Sequence, residues 1–411
     1  MRIALTIHAL HGGGAERVLA RLADRWANAG HELHVITWSA VDTDDIALTP
    51  SVRRHGLELM GGSANLWQAI QANVCRVRGL RQKLRELRPD LVLSFCDQMN
   101  ISTLQAARGL KLPVWIAERS DPDRQRLSPL WEWWRRRTYP SCTGCIAQTE
   151  TIAQHLSRWI PPSRIEVIPN AVDAAIYHAS TTAPPAPQPA PQPVPQPAPQ
   201  PDSVVADSIT AQSPSSHSAK IVLSVGRLSP EKGIDQLLQA WRQAHPQMPS
   251  WELWIAGDGP QRSSLETQAA DLPRVHFTGW LAEPAQLYRT AHLFVLPSRY
   301  EGFPNALIEA MSYSLACIST SCSQAITELS CDGQALHVVP ASSEENVAEQ
   351  LTSGLIELAA NPQRRQQLGA AAHRVSVDYN WNRIGPLWDR LLSTEFEIRP
   401  GVQRQGHAGH R

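Results

Sequence analysis

A proline-rich segment in the middle of the chain constrains the fold more than any other feature. Between residues 183 and 201 nearly every second residue is proline, in Pro-Gln-Pro-Ala repeats. Such a segment cannot form a packed core and favours an extended polyproline II conformation. The Ser- and Thr-rich stretch that follows it, up to residue 218, is predicted to be disordered. The chain is therefore expected to fold as two separate globular halves, as its length of 411 residues also suggests.

Both halves alternate short apolar runs with helical patterns. In the first half, the apolar run Arg2–Ile7 precedes three glycines, an amphipathic pattern that includes Val18 and Trp26, and a second apolar run. This order of strand, glycine turn, helix and strand is typical of a doubly wound parallel sheet. A second such pattern begins at Lys220. The predicted fold class is α/β, with Rossmann-like domains over residues 1–178 and 219–379, a linker over 179–218 and an unstructured tail over 399–411.

Composition indicates the partners and the cellular environment of the protein. Lys plus Arg and Asp plus Glu both number 38, but the first half is basic and the second acidic, which indicates that the first half faces an anionic partner. We expect no nucleic-acid partner. Seven scattered cysteines without a signal peptide predict a reducing, cytoplasmic environment. Since no apolar run approaches the roughly 20 residues of a membrane span, the protein is expected to be soluble or peripheral to a membrane.

A segment of the second half carries two carboxylates in a pattern suited to a nucleotide sugar. An apolar run ending at Pro297 precedes Glu301, and a turn then leads into a helix that begins at Pro304 or Asn305 and contains Glu309. The free N–H groups of a helix start bind phosphate, while the two carboxylates can face a sugar and a ribose. The predicted substrate-binding residues here are Gly302, Phe303, Pro304, Asn305, Ala306, Leu307 and Glu309.

This segment resembles the glutamate–seven–glutamate motif of retaining glycosyltransferases of family GT4. The resemblance extends over about residues 1–178 and 219–393, and it implies the GT-B fold, in which two Rossmann-like domains face a central cleft. It also implies that a terminal helix, at about residues 380–395, crosses back to complete the first domain. The donor, a UDP-sugar, is then expected in the second domain.

Two cations follow the first strand of the second domain. Arg227 and Lys232 flank the turn Gly226–Gly233 at the carboxyl end of a parallel strand, where α/β sheets bind ligands. They can stabilise the charge that develops on a departing nucleotide diphosphate, and they resemble the diphosphate clamp of GT4 enzymes. We predict Arg227, Lys232 and Glu301 as catalytic residues. By resemblance, Gly257 lies near the nucleotide base, although a Gly-x-Gly turn is usually structural.

The glycine turn of the first domain is a second candidate for phosphate contact. Gly13 and Gly14 allow the backbone to approach a phosphate closely. A dinucleotide-binding fingerprint fails here, because Arg17 occupies its third glycine position and no acid ends the second strand. The turn and the residues up to Val18 instead resemble the opening of GT4 enzymes that extend sugars on polyprenyl diphosphates.

Two acidic residues near the predicted cleft are candidates for the acceptor. Glu118 and Asp121 follow the strand Val114–Ala117 and can bind an acceptor hydroxyl, although Asp121 can equally begin a helix. Many GT4 enzymes have a histidine near this position and this chain does not, so the acceptor-activating group stays open. Retaining transfer in this family is thought to need no enzyme nucleophile.

Two basic amphipathic segments indicate contact with an anionic membrane. One is a helix over about residues 72–87, and the other combines tryptophans with arginines between Leu130 and Arg137. An ordinary charged helix surface is the alternative for each. The predicted membrane or acceptor residues are Arg76, Arg81, Arg85, Trp131, Trp133, Trp134 and Arg135.

These features together predict a metal-independent, cofactor-free enzyme. The pairs Asp42-x-Asp44 and Asp121-x-Asp123 match a metal motif of the unrelated GT-A fold but lie outside the nucleotide half. We predict a retaining transferase that moves a sugar, an N-acetylhexosamine, from a UDP-sugar to a polyprenyl-diphosphate-linked glycan at the cytoplasmic membrane face. The alternatives are a GT4 transferase of lipopolysaccharide core or capsular polysaccharide, and a non-catalytic module in which the proline-rich segment recruits partners.

Overall fold

The computed structural model describes residues 1–61, 66–125, 127–172, 219–281, 284–341 and 344–398. The predicted linker and the predicted tail lie outside the described residues. The described residues form two α/β domains, each built on one parallel sheet. The predicted fold class is therefore confirmed.

The first domain contains a seven-stranded sheet. Its strands, β1 to β7 in chain order, are Arg2–Ile7, Glu32–Thr37, Val52–Gly56, Leu91–Phe95, Val114–Ala117, Gly144–Ala147 and Ile165–Val167. Its helices, α1 to α5, are Gly14–Asn28, Leu66–Leu87, Asp97–Ala107, Pro129–Thr138 and Glu150–Leu156. The strand order is β3-β2-β1-β4-β5-β6-β7, so the winding reverses between β1 and β4.

The second domain repeats this plan with six strands. Its strands, β8 to β13, are Lys220–Val225, Trp251–Ala256, Val275–Gly279, Leu293–Leu296, Ala316–Thr320 and His337–Val339. Its helices, α6 to α12, are Ile234–Ala244, Arg262–Ala269, Ala285–Thr290, Asn305–Ser312, Gln324–Ser330, Glu344–Ala360 and Pro362–Ser376. The strand order is β10-β9-β8-β11-β12-β13, and the winding reverses between β8 and β11.

Both reversals place loops from the two domains around one cleft. In doubly wound sheets the crevice beyond the carboxyl ends of the strands, at the point of reversal, is the usual ligand site. The glycine turn follows β1, Arg227 follows β8 and Glu301 follows β11. The strands themselves are buried on both faces, as in Leu93 and Val295, which fixes the position of each loop.

A terminal helix, α13 (Trp381–Ile398), leaves the second domain and packs against the first. Trp388 is fully buried there and stacks on Phe95, with ring centroids 6.0 Å apart. Asp389 accepts a hydrogen bond of 2.6 Å from Arg25 of α1. The chain thus crosses between the domains twice, and the N–H of Val172 donates to the carbonyl of Tyr379 where the crossings meet.

One helix start differs from the sequence prediction, and a second is fixed by a glycine. Helix α2 begins at Leu66, earlier than the predicted residue 72, because the preceding Leu, Trp, Ala and Ile residues also favour a helix. Helix α6 begins at Ile234, because Gly233 has a φ of +63° and ends the preceding turn in the left-handed region.

Candidate active site

An ion pair joins two residues of the second domain that belong to different sequence motifs. Lys232 ends a 3-10 turn after β8, and its Nζ donates to Oε1 and Oε2 of Glu301 at 2.8 and 2.9 Å. Ser298 donates to the same carboxylate at 2.7 Å. Burial disfavours the charged lysine, but the attraction and hydrogen bonds of Glu301 outweigh it and raise the pKa of Lys232. The site therefore holds a fixed carboxylate beside a lysine that stays charged at neutral pH.

Arg227 is the second cation at this edge of the sheet. It is exposed at the end of β8, and its guanidinium has no hydrogen-bond or ion-pair partner among the described residues. The neighbouring loop approaches its backbone closely: Gly257 has a φ of +141°, and a Cβ there would lie 1.8 Å from the carbonyl oxygen of Gly226. Gly257 is thus required by the backbone at this position, whatever it contacts in a nucleotide.

The start of helix α9 faces the first domain. A Cβ on Gly302 would lie 2.5 Å from the carbonyl oxygen of Arg119, and Oδ1 of Asn305 accepts a hydrogen bond of 2.7 Å from Asn170. Phe303, Pro304 and Leu307 are buried, and Ala306 is half-buried. The side chains of Phe303 and Leu307 pack in the core of the second domain, so contact of these residues with a substrate, which stays a prediction, would be made through their backbone.

Glu309 lies in the same helix and contacts both domains. Its Oε2 accepts a hydrogen bond of 2.9 Å from the hydroxyl of Tyr288, whose pKa burial raises well above its ordinary value. Its Oε1 lies 3.6 Å from Nη1 of Arg17, a residue of α1 in the first domain. An ion pair therefore crosses the cleft at the position predicted to bind a ribose.

The glycine turn of the first domain lies against this helix. A Cβ on Gly14 would come within 2.1 Å of Nδ2 of Asn305, and one on Gly13 within 2.3 Å of Oε2 of Glu16. Glu16 is 7% exposed, and burial raises its pKa. At Gly14 the second domain leaves little room for a side chain, whereas at Gly13 the space is taken by Glu16 of the same domain.

The two acceptor candidates have different surroundings. Glu118 is fully buried, accepts a hydrogen bond of 2.6 Å from the hydroxyl of Tyr139, and has a pKa raised by burial. Its carboxylate is enclosed by the core in this structure, and acceptor binding by Glu118 stays a prediction. Asp121 lines the cleft, and its Oδ1 lies 2.8 Å from Nδ1 of His155 at the end of α5. Sequence reasoning missed His155, which is 34 residues from Asp121 and has no local signal.

Three of the arginines predicted to face a membrane have structural partners. Arg135 is fully buried, with Nη1 donating to Glu132 at 3.1 Å, so its side chain is not on the surface of this structure. Arg76 lies over the ring of Trp38, 5.0 Å from its centroid. Arg81 donates to two backbone carbonyls at the end of α3.

The remaining residues of these segments divide between core and surface. Trp131 and Trp134 are half-buried and pack against the core of the first domain. Trp133 is 46% exposed, with the guanidinium of Arg137 over its ring, and Arg85 is exposed on α2. Only part of the predicted basic and aromatic surface is therefore available for a partner.

The described part of the chain lacks a metal cluster and a membrane-spanning helix. There, no group of three or more His, Cys, Asp or Glu side chains could hold a metal ion. Asp44, from one of the Asp-x-Asp pairs, accepts a hydrogen bond of 2.7 Å from Arg54. None of the helices built from described residues has the length and apolar character needed to cross a bilayer.

Comparisons with known proteins identify this architecture. Residues 12–176 match the family model described as Glycosyltransferase Family 4, and residues 219–357 match the one described as Glycosyl transferases group 1. A sucrose-phosphate synthase from Thermosynechococcus elongatus superposes with a TM-score of 0.75 at 17% identity, covering 97% of this chain and 100% of that one. Anabaena Alr3699/HepE, in complex with UDP and glucose, gives 0.72 at 14%, covering 96% and 100%.

The fold and the family matches define a class of protein. The chain is a two-domain glycosyltransferase with the GT-B fold. Its first domain belongs to glycosyltransferase family 4 and its second to the glycosyl transferases group 1, so the predicted resemblance to GT4 enzymes is confirmed.

Two curated relatives indicate the biological setting. The chain is 27% identical over 397 residues, 96% of its length and 98% of the relative's, to a Campylobacter jejuni α-1,4-N-acetyl-D-galactosaminyltransferase whose name specifies a diphosphate-undecaprenol-linked acceptor. It is 32% identical over 178 residues to the amylovoran biosynthesis glycosyltransferase AmsD of Erwinia amylovora. The second match covers 42% of this chain and 48% of the relative, about half of each. The relatives therefore place the chain among glycosyltransferases of polysaccharide biosynthesis.

Proposed function

We propose that the protein is a retaining, metal-independent glycosyltransferase that moves an N-acetylhexosamine from its UDP-sugar to a polyprenyl-diphosphate-linked glycan. The observation that carries this proposal is the Lys232–Glu301 ion pair at the reversal point of the second sheet, with Arg227 exposed on the loop that leads from β8 to Lys232. Two cations are then available to bind a diphosphate, and a fixed carboxylate is available to bind the sugar that the diphosphate carries.

The donor is assigned to the second domain. Arg227 is exposed and without a partner among the described residues, so it can hold phosphate oxygens bidentately. The start of α9 adds backbone N–H groups, which favour an anion, and Glu309 accepts hydrogen bonds from ribose hydroxyls. Support for UDP as the nucleotide comes from Alr3699/HepE, which has the same fold and was crystallised with UDP.

The reaction needs no covalent enzyme intermediate. A hydroxyl oxygen of the acceptor bonds to C1 of the donor sugar, on the face from which UDP departs. The bond between C1 and the β-phosphate oxygen breaks, its electron pair leaves with UDP, and the hydroxyl proton passes to a β-phosphate oxygen. Arg227 and Lys232 stabilise the charge that accumulates on the departing diphosphate, which is the main way such a site can accelerate the step.

The acceptor is assigned to the first domain at the cytoplasmic face of a membrane. A lipid-linked glycan is supported by the Campylobacter relative, which aligns over nearly the whole chain. Trp133, Leu130 and the exposed arginines of α4 offer apolar and basic groups suited to an anionic headgroup region. The alignment with AmsD favours a second candidate, a transferase of polysaccharide biosynthesis like the one that AmsD serves for amylovoran.

Three measurements test this proposal. UDP-N-acetylgalactosamine, UDP-N-acetylglucosamine and UDP-glucose are screened for thermal stabilisation and for release of UDP. The anomeric configuration of the product is read by NMR, and the rate is compared with and without a chelator. We expect an N-acetylhexosamine donor, an α-linked product and an unchanged rate in the chelator. A β-linked product or strict dependence on Mn²⁺ would refute the proposed mechanism.

An arginine variant tests the site itself. Arg227→Ala is expected to lower turnover about 100-fold with a much smaller loss of UDP affinity. Arg374→Ala, an exposed arginine of α12 outside the cleft, serves as the matched control. Equal turnover in the two variants would remove Arg227 from the mechanism.

A further inference from the structure

A polar cavity lies between the two domains, beside the Lys232–Glu301 pair. It has a volume of about 270 Å³, and Glu301 and Gly302 form one wall. The rest of its lining comes from the loops after β5 and β6 in the first domain and from the segment after β12 in the second. The cavity thus lies at the carboxyl ends of strands from both sheets, where α/β folds bind ligands.

The lining is suited to a ligand with many hydroxyl groups. Five side chains bring hydroxyls to it: Thr149, Thr151, Ser321, Ser323 and Thr327. Oγ of Ser323 is buried and has no hydrogen-bond partner among the described residues, and the same holds for Oε1 of Gln148, which adjoins Gly302. Since buried polar atoms are normally hydrogen-bonded, the hydroxyl of Ser323, which belongs to the lining, indicates a polar partner from outside the chain.

An aspartate–histidine pair forms the first-domain wall of the cavity. Oδ1 of Asp121 bonds to Nδ1 of His155 at 2.8 Å, while Oδ2 of Asp121 has no partner among the described residues. Nε2 of His155 lies 3.3 Å from Asp123, whose Oδ2 accepts a hydrogen bond of 2.7 Å from Arg158. The imidazole is therefore held between two carboxylates, and it orients Asp121 toward a ligand.

The position of the cavity separates it from the diphosphate site. Arg227 follows β8, whereas the second-domain wall of the cavity follows β12, and β11 lies between these strands in the sheet. Glu301, which follows β11, borders the cavity from the side of the donor. A second sugar in the cavity would therefore lie next to the donor sugar without competing for the cations.

We propose that this cavity holds the terminal sugar of the acceptor glycan. Asp121 accepts a hydrogen bond from a hydroxyl of that sugar, and His155 is a positioning residue that acts through Asp121. The inference rests on the proposed function, because that function assigns the donor sugar to Glu301. It identifies the acceptor's recognised part as a hydroxyl-rich ring, and the lining that surrounds it also contains Arg124.

The test uses the full chain with four variants and three measurements. The variants are Asp121→Asn, His155→Ala, His155→Gln and the control His337→Ala, whose imidazole is also 27% exposed and lies 4.0 Å from Glu357. The measurements are UDP affinity by calorimetry, UDP release from the donor in water, and KM and kcat for farnesyl-diphosphate-linked N-acetylgalactosamine as acceptor.

We expect Asp121→Asn and His155→Ala to raise the acceptor KM about 10- to 100-fold, as the loss of a charge-assisted hydrogen bond implies. UDP affinity stays within about twofold of wild type in both, since neither side chain is assigned to the diphosphate or the ribose. His155→Gln recovers part of the affinity, because its amide can still donate to Asp121. The control matches wild type throughout.

Two results would overturn the inference. An unchanged acceptor KM in both variants would show that the cavity does not hold the acceptor. A parallel loss of UDP affinity and UDP release would show that it holds the donor instead. Failure of the proposed function is distinguishable, because wild type would then release no UDP from any UDP-sugar, and the inference would fall with it.

Discussion

Replacing Lys232 by Met tests the ion pair on which the proposed site depends. The change leaves Glu301, whose side chain is 8% exposed, with the hydroxyl of Ser298 as its remaining partner at 2.7 Å. Removing one member of a fully buried pair costs about 3–5 kcal/mol. Because Glu301 retains one hydrogen bond and slight exposure, we expect a loss of about 2–4 kcal/mol in the free energy of unfolding.

Replacing Glu301 should lower the free energy of unfolding less than replacing Lys232 does. In Glu301→Gln the unpaired lysine is 25% exposed and can be hydrated, so we expect about 1–2 kcal/mol. The double variant carries no isolated charge. Its loss should therefore be smaller than the sum of the two single losses, with a coupling energy of about 1–3 kcal/mol.

The pH dependence of this contribution follows from the lysine. Because the pKa of Lys232 is raised in the folded protein, its contribution is fully present below the ordinary lysine value of 10.5 and is lost as pH rises through the folded value. The loss of unfolding free energy in Lys232→Met should thus be constant across the neutral pH range and should decrease only in strong alkali.

Urea unfolding of the four proteins, followed by tryptophan fluorescence, measures the cycle. All three variants should also lose turnover by about 100-fold or more, because each removes a charge from the donor site. Additive losses of stability would show that the two side chains do not interact in solution, and the assigned geometry would be wrong. Loss of stability with full turnover would instead make the pair purely structural.

Three further predictions concern other parts of the site. Gly257→Ala forces a Cβ against the carbonyl of Gly226 at a φ of +141°, so it should lower the unfolding free energy by more than about 1 kcal/mol, measured by urea titration. Glu309→Gln should weaken UDP binding about 10-fold by calorimetry, whereas Arg17→Ala should weaken it far less; an equal loss would contradict the ribose assignment. Trp133→Ala should reduce flotation with anionic liposomes at low salt, while Val41→Ala, a similarly exposed apolar residue, should not.

The sequence predicted the strands that are rich in branched apolar residues and missed those that are not. Strand β3 (Val52–Gly56) has one buried residue and lies at the edge of its sheet, so it carries no apolar run. Strand β12 (Ala316–Thr320) is fully buried, but three of its five residues are polar or sulfur-containing, and its burial comes from neighbouring strands. A pattern of apolar residues along one segment shows which of its side chains favour burial. It does not show that polar residues are buried because elements distant in the sequence cover them.

The site was predictable in its residue types but not in its pairings. Lys232 and Glu301 are 69 residues apart, and Asp121 and His155 are 34 apart, so only the fold brings each pair together. The burial of Arg135 was missed for the same reason, because it depends on contacts that the sequence does not show. A run of three arginines indicates a charged surface, yet contact with Asp97 and Glu132 allows one of them to be fully buried.

The contacts that join the two domains are made by groups that the donor is proposed to use. Glu309 lies 3.6 Å from Arg17 of the first domain, and Asn305, at the start of the phosphate-facing helix, is bonded to Asn170. On this assignment, a ribose that takes hydrogen bonds from Glu309 competes with Arg17 for the carboxylate. That exchange would release the guanidinium of Arg17 from Glu309, whereas the Asn170–Asn305 contact joins two neutral amides and releases no charge. The donor thus replaces contacts that already join the two domains. Its binding therefore does not require the domains to move together from a separated arrangement.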